Sequence, residues 1–299
     1  MFLPLGDNIQ HRSFPIVSCL LLIINGVVFL GQTRMLVEAA GDEQVAIEYM
    51  DNYALNPVHL ADGKVLGILT HMFLHGGFMH LLGNMVCLWA FACSLELCLG
   101  SAYFLAFYIL WGVVAGLTET LCSWGVDCPL VGASGAIAGC IGGYTVMFGP
   151  LSRIKCLVFI GFHPITFFMP ATAFGLLWIG GQLWDASNDP EGLAGIAWMA
   201  HIGGFFAGAA TMLLFRNSTD QFAVQDKTGV VSFQKRETEE DNEPEEAAPE
   251  GLLECPYCGH ELAEEDCISP GLAKCPSAAC DRLVYSASVA AAATEGGAE

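Results

Sequence analysis

Long apolar runs with almost no charge recur through the first 216 residues, at 16–31, 78–95, 103–121, 134–148, 157–183 and 195–215. A run of about 20 apolar residues is what a helix needs to cross the hydrocarbon core of a bilayer. Backbone polar groups in lipid must be satisfied internally, so only helices or closed barrels can span it. The runs lack the alternation of barrel strands, which leaves helices. The sequence therefore predicts an all-α polytopic membrane protein with a bundle of six transmembrane helices. Only 14% of residues are charged, against about 25% in a soluble domain.

The charge that is present is unevenly spread. More than half of the Asp and Glu residues follow Arg216, so the net charge of -20 belongs to a tail more than to the bundle. An acidic balance excludes nucleic-acid binding by bulk electrostatics, which needs Lys and Arg against phosphates. The first fifteen residues carry Asp7, His11 and Arg12 and lead into the first run without a small-residue cleavage site, so the expectation is a retained first helix. With the N-terminus inside, Arg12, Arg153, Lys155, Arg216, Lys227, Lys235 and Arg236 fall on the inner side and only Arg34 and Lys64 on the outer. The positive-inside rule then puts both termini in the cytoplasm. A mixed, acidic loop, 32–70, joins the first two helices outside.

This topology has a consequence for chemistry. The second, fourth and sixth helices all descend from the outer face, and their outer ends carry His80 with Asn84, Ser134, and His201. Polar groups in a membrane are costly and functional by default. A serine hydroxyl becomes a nucleophile when an imidazole accepts its proton. Gly135 with Gly139, and Gly204 with Gly208, have the four-residue spacing that lets membrane helices approach closely, which would bring Ser134 to His201. His80 and Asn84, four apart on one helical face, offer an imidazole N–H and an amide N–H to an oxyanion. The backbone N–H of Ser134, first in its helix, is a further donor. No acid lies in the sixth run, and Asp185, Asp189 and Glu191 precede it, so the expectation is a Ser–His dyad.

Three motifs in this order, His-Met-Phe-Leu-His-Gly-Gly-Phe-Met-His-Leu-Leu-Gly-Asn (71–84), Gly-Ala-Ser-Gly-Ala-Ile-Ala-Gly (132–139) and Ala-His-Ile-Gly-Gly-Phe-Phe-Ala-Gly (200–208), resemble those of bacterial rhomboid intramembrane serine proteases. The resemblance covers roughly 14–216. It implies Ser134 as nucleophile, His201 as general base, and His80, Asn84 and the Ser134 amide as the oxyanion hole. Gly132 and Gly135 would pack around the serine, and Gly204 and Gly208 would seat the sixth helix on the fourth. It also implies a cavity open to the outer side, membrane-anchored substrates entering beside the fifth helix, catalysis without a cofactor, and a bacterial inner membrane. Two positions depart from the family pattern: Leu66-Gly67 stands where many relatives carry Trp-Arg, and Ala138 where some carry an aromatic that stacks on the base.

Other readings use the same residues. His71, His75 and His80 as a metalloprotease site would need a Glu within the helical motif, and Met72, Phe73 and Leu74 supply none. A rhomboid-like fold that binds membrane helices without cutting them is the alternative function. Trp178, Gln182 and Trp184 read as lipid-facing or interfacial.

In the tail, Cys255-Pro256-Tyr257-Cys258 and Cys275-Pro276-Ser277-Ala278-Ala279-Cys280 have approximately the spacing of a zinc ribbon, with Cys255, Cys258, Cys275 and Cys280 as structural Zn ligands. The predicted organisation is an N-terminal segment 1–15, a protease domain 16–216, an acidic linker 217–253, a zinc-ribbon-like module 254–286 and a flexible end 287–299. The module would bind a protein partner or stand as a small fold. Cys122 and Cys128, in or beside one outer loop, are candidates for pairing if that side is oxidising.

Overall fold

The computed structural model describes residues 2–9, 13–39, 42–189 and 195–216, with strands at 221–225, 231–235, 253–254, 261–262, 267–269, 272–274 and 283–285. The chain divides into two compact units, 1–236 and 237–299. In the first, strand β1 (Leu3–Asp7) precedes α1 (Ile16–Glu38). The short helices α2 (Glu43–Tyr53), α3 (Pro57–Ala61) and α4 (Gly67–Thr70) and a 3-10 turn (His71–Phe73) follow. Then come α5 (Phe78–Leu99), α6 (Ser101–Cys122), α7 (Ser134–Phe148), the hairpin β2 (Arg153–Ile160) and β3 (His163–Pro170), α8 (Ala171–Asn188), α9 (Trp198–Phe215), and the pair β4 (Gln221–Gln225) and β5 (Val231–Lys235).

Among the described residues four helices, α1, α5, α6 and α9, are long and apolar enough to cross a membrane. The shorter α7 lies at the centre, with every residue from Gly135 to Tyr144 buried. Its 15 residues reach about 22 Å, less than the roughly 30 Å hydrocarbon thickness. Around it Phe91 of α5 and Tyr108 and Trp111 of α6 are closed off from solvent.

Two joints hold the opposite end of the bundle from Ser134. Glu96 of α5, 1% exposed, accepts from Val17 N (2.8 Å), Ser18 N (2.7 Å), Ser18 Oγ (2.8 Å) and Ser101 Oγ (2.6 Å). It thereby supplies the partners that the first amides of α1 lack. Asp7 of β1 accepts from Ser94 Oγ (2.6 Å) and Tyr144 Oη (2.7 Å), which pins the N-terminal strand to α5 and α7.

The fifth apolar run differs from its expected single helix. Residues 153–170 form an antiparallel hairpin, with β1 added beside β2, and α8 begins only at Ala171. The physical reason is local composition. Val158, Phe159, Ile160, Ile165, Thr166, Phe167 and Phe168 are strand formers. Gly161 takes a positive φ of 62° at the turn, and Pro164 and Pro170 remove the amides a helix would use. The first helix continues beyond the expected residue 31 to Glu38, with Arg34 and Glu38 paired at 2.7 Å one turn apart. The loop before α5 holds three short helices rather than irregular chain.

The second unit contains β6 (Leu253–Glu254) paired with β7 (Glu261–Leu262), and a three-stranded sheet of β8 (Cys267–Ser269), β9 (Leu272–Lys274) and β10 (Leu283–Tyr285) with β9 in the middle. Cys255, Cys258, Cys275 and Cys280 lie outside the described residues, as does the acidic stretch 237–250.

Candidate active site

Ser134 opens α7 and His201 lies in the first turn of α9. Their helices touch backbone to backbone. A Cβ on Gly204 would overlap the carbonyl oxygen of Gly135, and one on Gly208 the carbonyl oxygen of Gly139. Gly142 meets the carbonyl of Phe205 in the same way. Because glycines let the two backbones meet along this seam, the side chains at its end come together: His201 Nε2 lies 2.9 Å from Ser134 Oγ.

The start of α9 is fixed by a carboxylate from another helix. Ala197, its N-cap, makes no side-chain cap. Glu119 from α6 instead accepts the Ala200 amide at 2.9 Å, filling the role of a cap from another helix.

His80 and Asn84 stand on α5 beside the turn that leads into Ser134. Gly132 has φ of +126°, and a Cβ there would lie 2.9 Å from His80 Nε2 and 3.6 Å from Asn84 Nδ2. Glycine is required on both counts, conformation and space. The Gly76 amide donates to His80 Nδ1 at 3.3 Å. In a neutral imidazole the proton then resides on Nε2, which faces Gly132. Asn84 Nδ2 is buried without a hydrogen-bond partner among the described residues. Two N–H donors therefore converge on the approach to Ser134, and a buried amide with nothing to donate to is costly unless it has work to do.

The loop before α5 is tied to the same place. The Gly132 amide donates to the His71 carbonyl at 2.8 Å, and Leu55 pairs with Leu130. At the Leu66-Gly67 departure the chain turns into α4, and a Cβ on Gly67 would overlap the Ala54 carbonyl. His71 and His75 are both buried. His71 Nδ1 lies 2.8 Å from the Gly67 carbonyl. His75 is held through its backbone, which exchanges bonds of 2.8 and 3.3 Å with the Gln32 amide. Burial pushes each imidazole down to about 4, with His80 adding to the effect at His75. Among the described residues no three His, Cys, Asp or Glu side chains converge as a metal site would require. Cys122 and Cys128 are free, exposed thiols.

Gln182 is the residue that sequence reasoning missed. Assigned to a lipid-facing or interfacial position, it is instead 7% exposed, and its Oε1 lies 2.6 Å from His201 Nδ1. Trp178, one turn earlier on α8, sets its ring 5.9 Å from the His201 ring, and Trp198 approaches it edge-on at 6.3 Å. The aromatic absent at Ala138 is thus supplied from two other helices. An amide inside an apolar run was the available signal, since polar groups at membrane depth rarely lack a role.

Residues 62–218 match the family described as Rhomboid domain. Rhomboid protease GluP of Bacillus subtilis (strain 168) is 33% identical over 152 residues, covering 50% of this chain and 27% of that protein. Rhomboid protein 1, mitochondrial, of Saccharomyces cerevisiae (strain ATCC 204508 / S288c) is 27% identical over 164 residues, 54% of this chain and 44% of that protein. The chain spans less than half the length of these curated relatives.

Proposed function

This chain belongs to the rhomboid family, and from that premise we propose that it is an intramembrane serine endopeptidase, cutting peptide bonds in or near the transmembrane segments of other membrane proteins. The observation that carries the reading is the 2.9 Å contact between Ser134 Oγ and His201 Nε2 across the glycine seam. His201 takes the serine proton as Oγ attacks the scissile carbonyl carbon. The oxyanion that forms receives hydrogen bonds from His80 Nε2–H and Asn84 Nδ2–H. His201 then returns the proton to the departing amine, and water, activated by the same imidazole, hydrolyses the acyl-enzyme. The 15-residue length of α7 supports a nucleophile set below the membrane surface.

In this reading six helices cross the bilayer, α7 and α8 among them, in a bacterial inner membrane with both termini cytoplasmic. The protease domain is 16–216. The tail carries a structural Zn held by Cys255, Cys258, Cys275 and Cys280, with no part in catalysis. The pairings β6–β7 and β9–β10 bracket the two cysteine pairs in sequence, which supports that organisation. The ribbon's partner would be a protein.

The test is cleavage of a labelled transmembrane substrate by the purified protein in liposomes, with Ser134→Ala, His201→Ala, Asn84→Ala and a chelator arm. Both dyad variants lose cleavage and chelator leaves it intact. Asn84→Ala cuts the rate by about a hundred- to a thousandfold. Cleavage that survives Ser134→Ala sinks the dyad. A wild type inert toward several substrates makes the chain a non-catalytic binder of membrane helices.

A further inference from the structure

An imidazole serves as a base only if the nitrogen facing the hydroxyl is unprotonated, and in a neutral ring the other nitrogen's partner decides which one that is. Around His201 the usual partner, a carboxylate, is not what meets Nδ1. That position is filled by the Gln182 carbonyl oxygen at 2.6 Å. Glu119, which also reaches the first turn of α9, spends its carboxylate on the Ala200 amide. Trp178 and Trp198 flank the ring, so its plane is held as well as its edge.

We infer that Gln182 is the positioning residue of the dyad, accepting the His201 Nδ1 proton through Oε1 and so leaving Nε2 free to take the Ser134 proton. The inference rests on the Ser134–His201 reading. A neutral amide suits this depth. It fixes the tautomer as a carboxylate would, without burying a negative charge at membrane depth. The opposite amide orientation would donate to Nδ1 and put the proton on Nε2, facing Ser134, where it blocks base catalysis. Gln182 therefore acts through His201 and touches no reacting atom.

The experiment measures kcat and KM against pH for the full-length protein in liposomes, comparing wild type, Gln182→Leu, Gln182→Glu, Ser134→Ala and His201→Ala. Fluorophosphonate labelling of Ser134 is followed in parallel. Gln182→Leu lowers kcat and the labelling rate by about tenfold to a hundredfold, with KM within about twofold of wild type. Gln182→Glu offers only acceptor oxygens once ionised. It restores labelling, and its acid limb moves to higher pH because a carboxylate holds the imidazole proton more tightly. The pH profile of Gln182→Glu keeps the inference testable should the leucine variant fail to fold. An unchanged kcat in Gln182→Leu, or an unmoved acid limb in Gln182→Glu, overturns the positioning role while inert dyad variants leave the protease reading standing. Cleavage or labelling that persists in Ser134→Ala overturns both.

Discussion

The α7–α9 seam and the α1–α5 joint solve the same problem, fixing one helix against another, by opposite means. The seam uses glycines and carbonyl oxygens, with no room for a single added carbon at Gly142, Gly204 or Gly208. The joint uses one long side chain, Glu96, with four hydrogen bonds to Val17, Ser18 and Ser101. Backbone contact leaves no rotamer freedom, so the separation of the helices is set directly and passes without slack to Ser134 and His201. A glutamate has three rotatable bonds and tolerates small displacement while holding a helix end. The chain places the stiffer device beside Ser134 and His201 and the adjustable one at the far end.

Breaking the seam gives the largest effect. Gly208→Val must push the helices apart by more than a hydrogen bond can stretch, and cleavage falls by roughly a thousandfold or more, in keeping with loss of an aligned base. A substrate assay paired with melting in detergent checks that activity fails more than folding does. At the joint the order reverses. Glu96→Leu leaves the Val17 and Ser18 amides and two hydroxyls without partners, at a cost of about 3 kcal/mol, read as a lower Tm. The fraction still folded cleaves within a few-fold of wild type. Equal losses of activity and stability in both variants would erase the distinction.

A pH effect on stability sharpens the comparison at the loop that borders the site. His71 and His75 stay neutral in the fold, each held to about 4 by burial, whereas an unfolded imidazole titrates near 6.5. Between those values the unfolded chain binds more protons than the folded one. Stability is therefore complete well above pH 6.5 and declines as pH falls toward 4, by about 2 kcal/mol per histidine at pH 5. Melting at pH 7 and pH 5 measures it, and the double variant His71→Gln with His75→Gln flattens the difference.

What the sequence made legible follows from periodicity and spacing. Phe78 and Ser134 were expected to start helices and do so. The small residues around Ser134 and His201 pointed to a close approach, and the seam has that character. The hairpin 153–170 stayed hidden because a continuous apolar run does not declare its period, and its prolines and β-branched residues were outweighed by hydrophobicity. Glu119 and Gln182 were hidden for another reason. Each works across helices far apart in sequence, Glu119 on Ala200 and Gln182 on His201, and no local motif announces such a partner.

The hairpin gives α7 and α8 the mechanics of a sprung clip. Their near ends are sewn together, with Ala171 N donating to the Ser152 carbonyl at 3.0 Å and Thr172 N to the Gly149 carbonyl at 3.3 Å. Gly175 leaves just enough space for Thr145 to lie against it. From that fulcrum Gln182 stands about 17 Å along α8. A tilt of a few degrees at Ala171 moves the amide by about an ångström. The arm that meets His201 is therefore the one with the greatest leverage over the contact between Gln182 and His201.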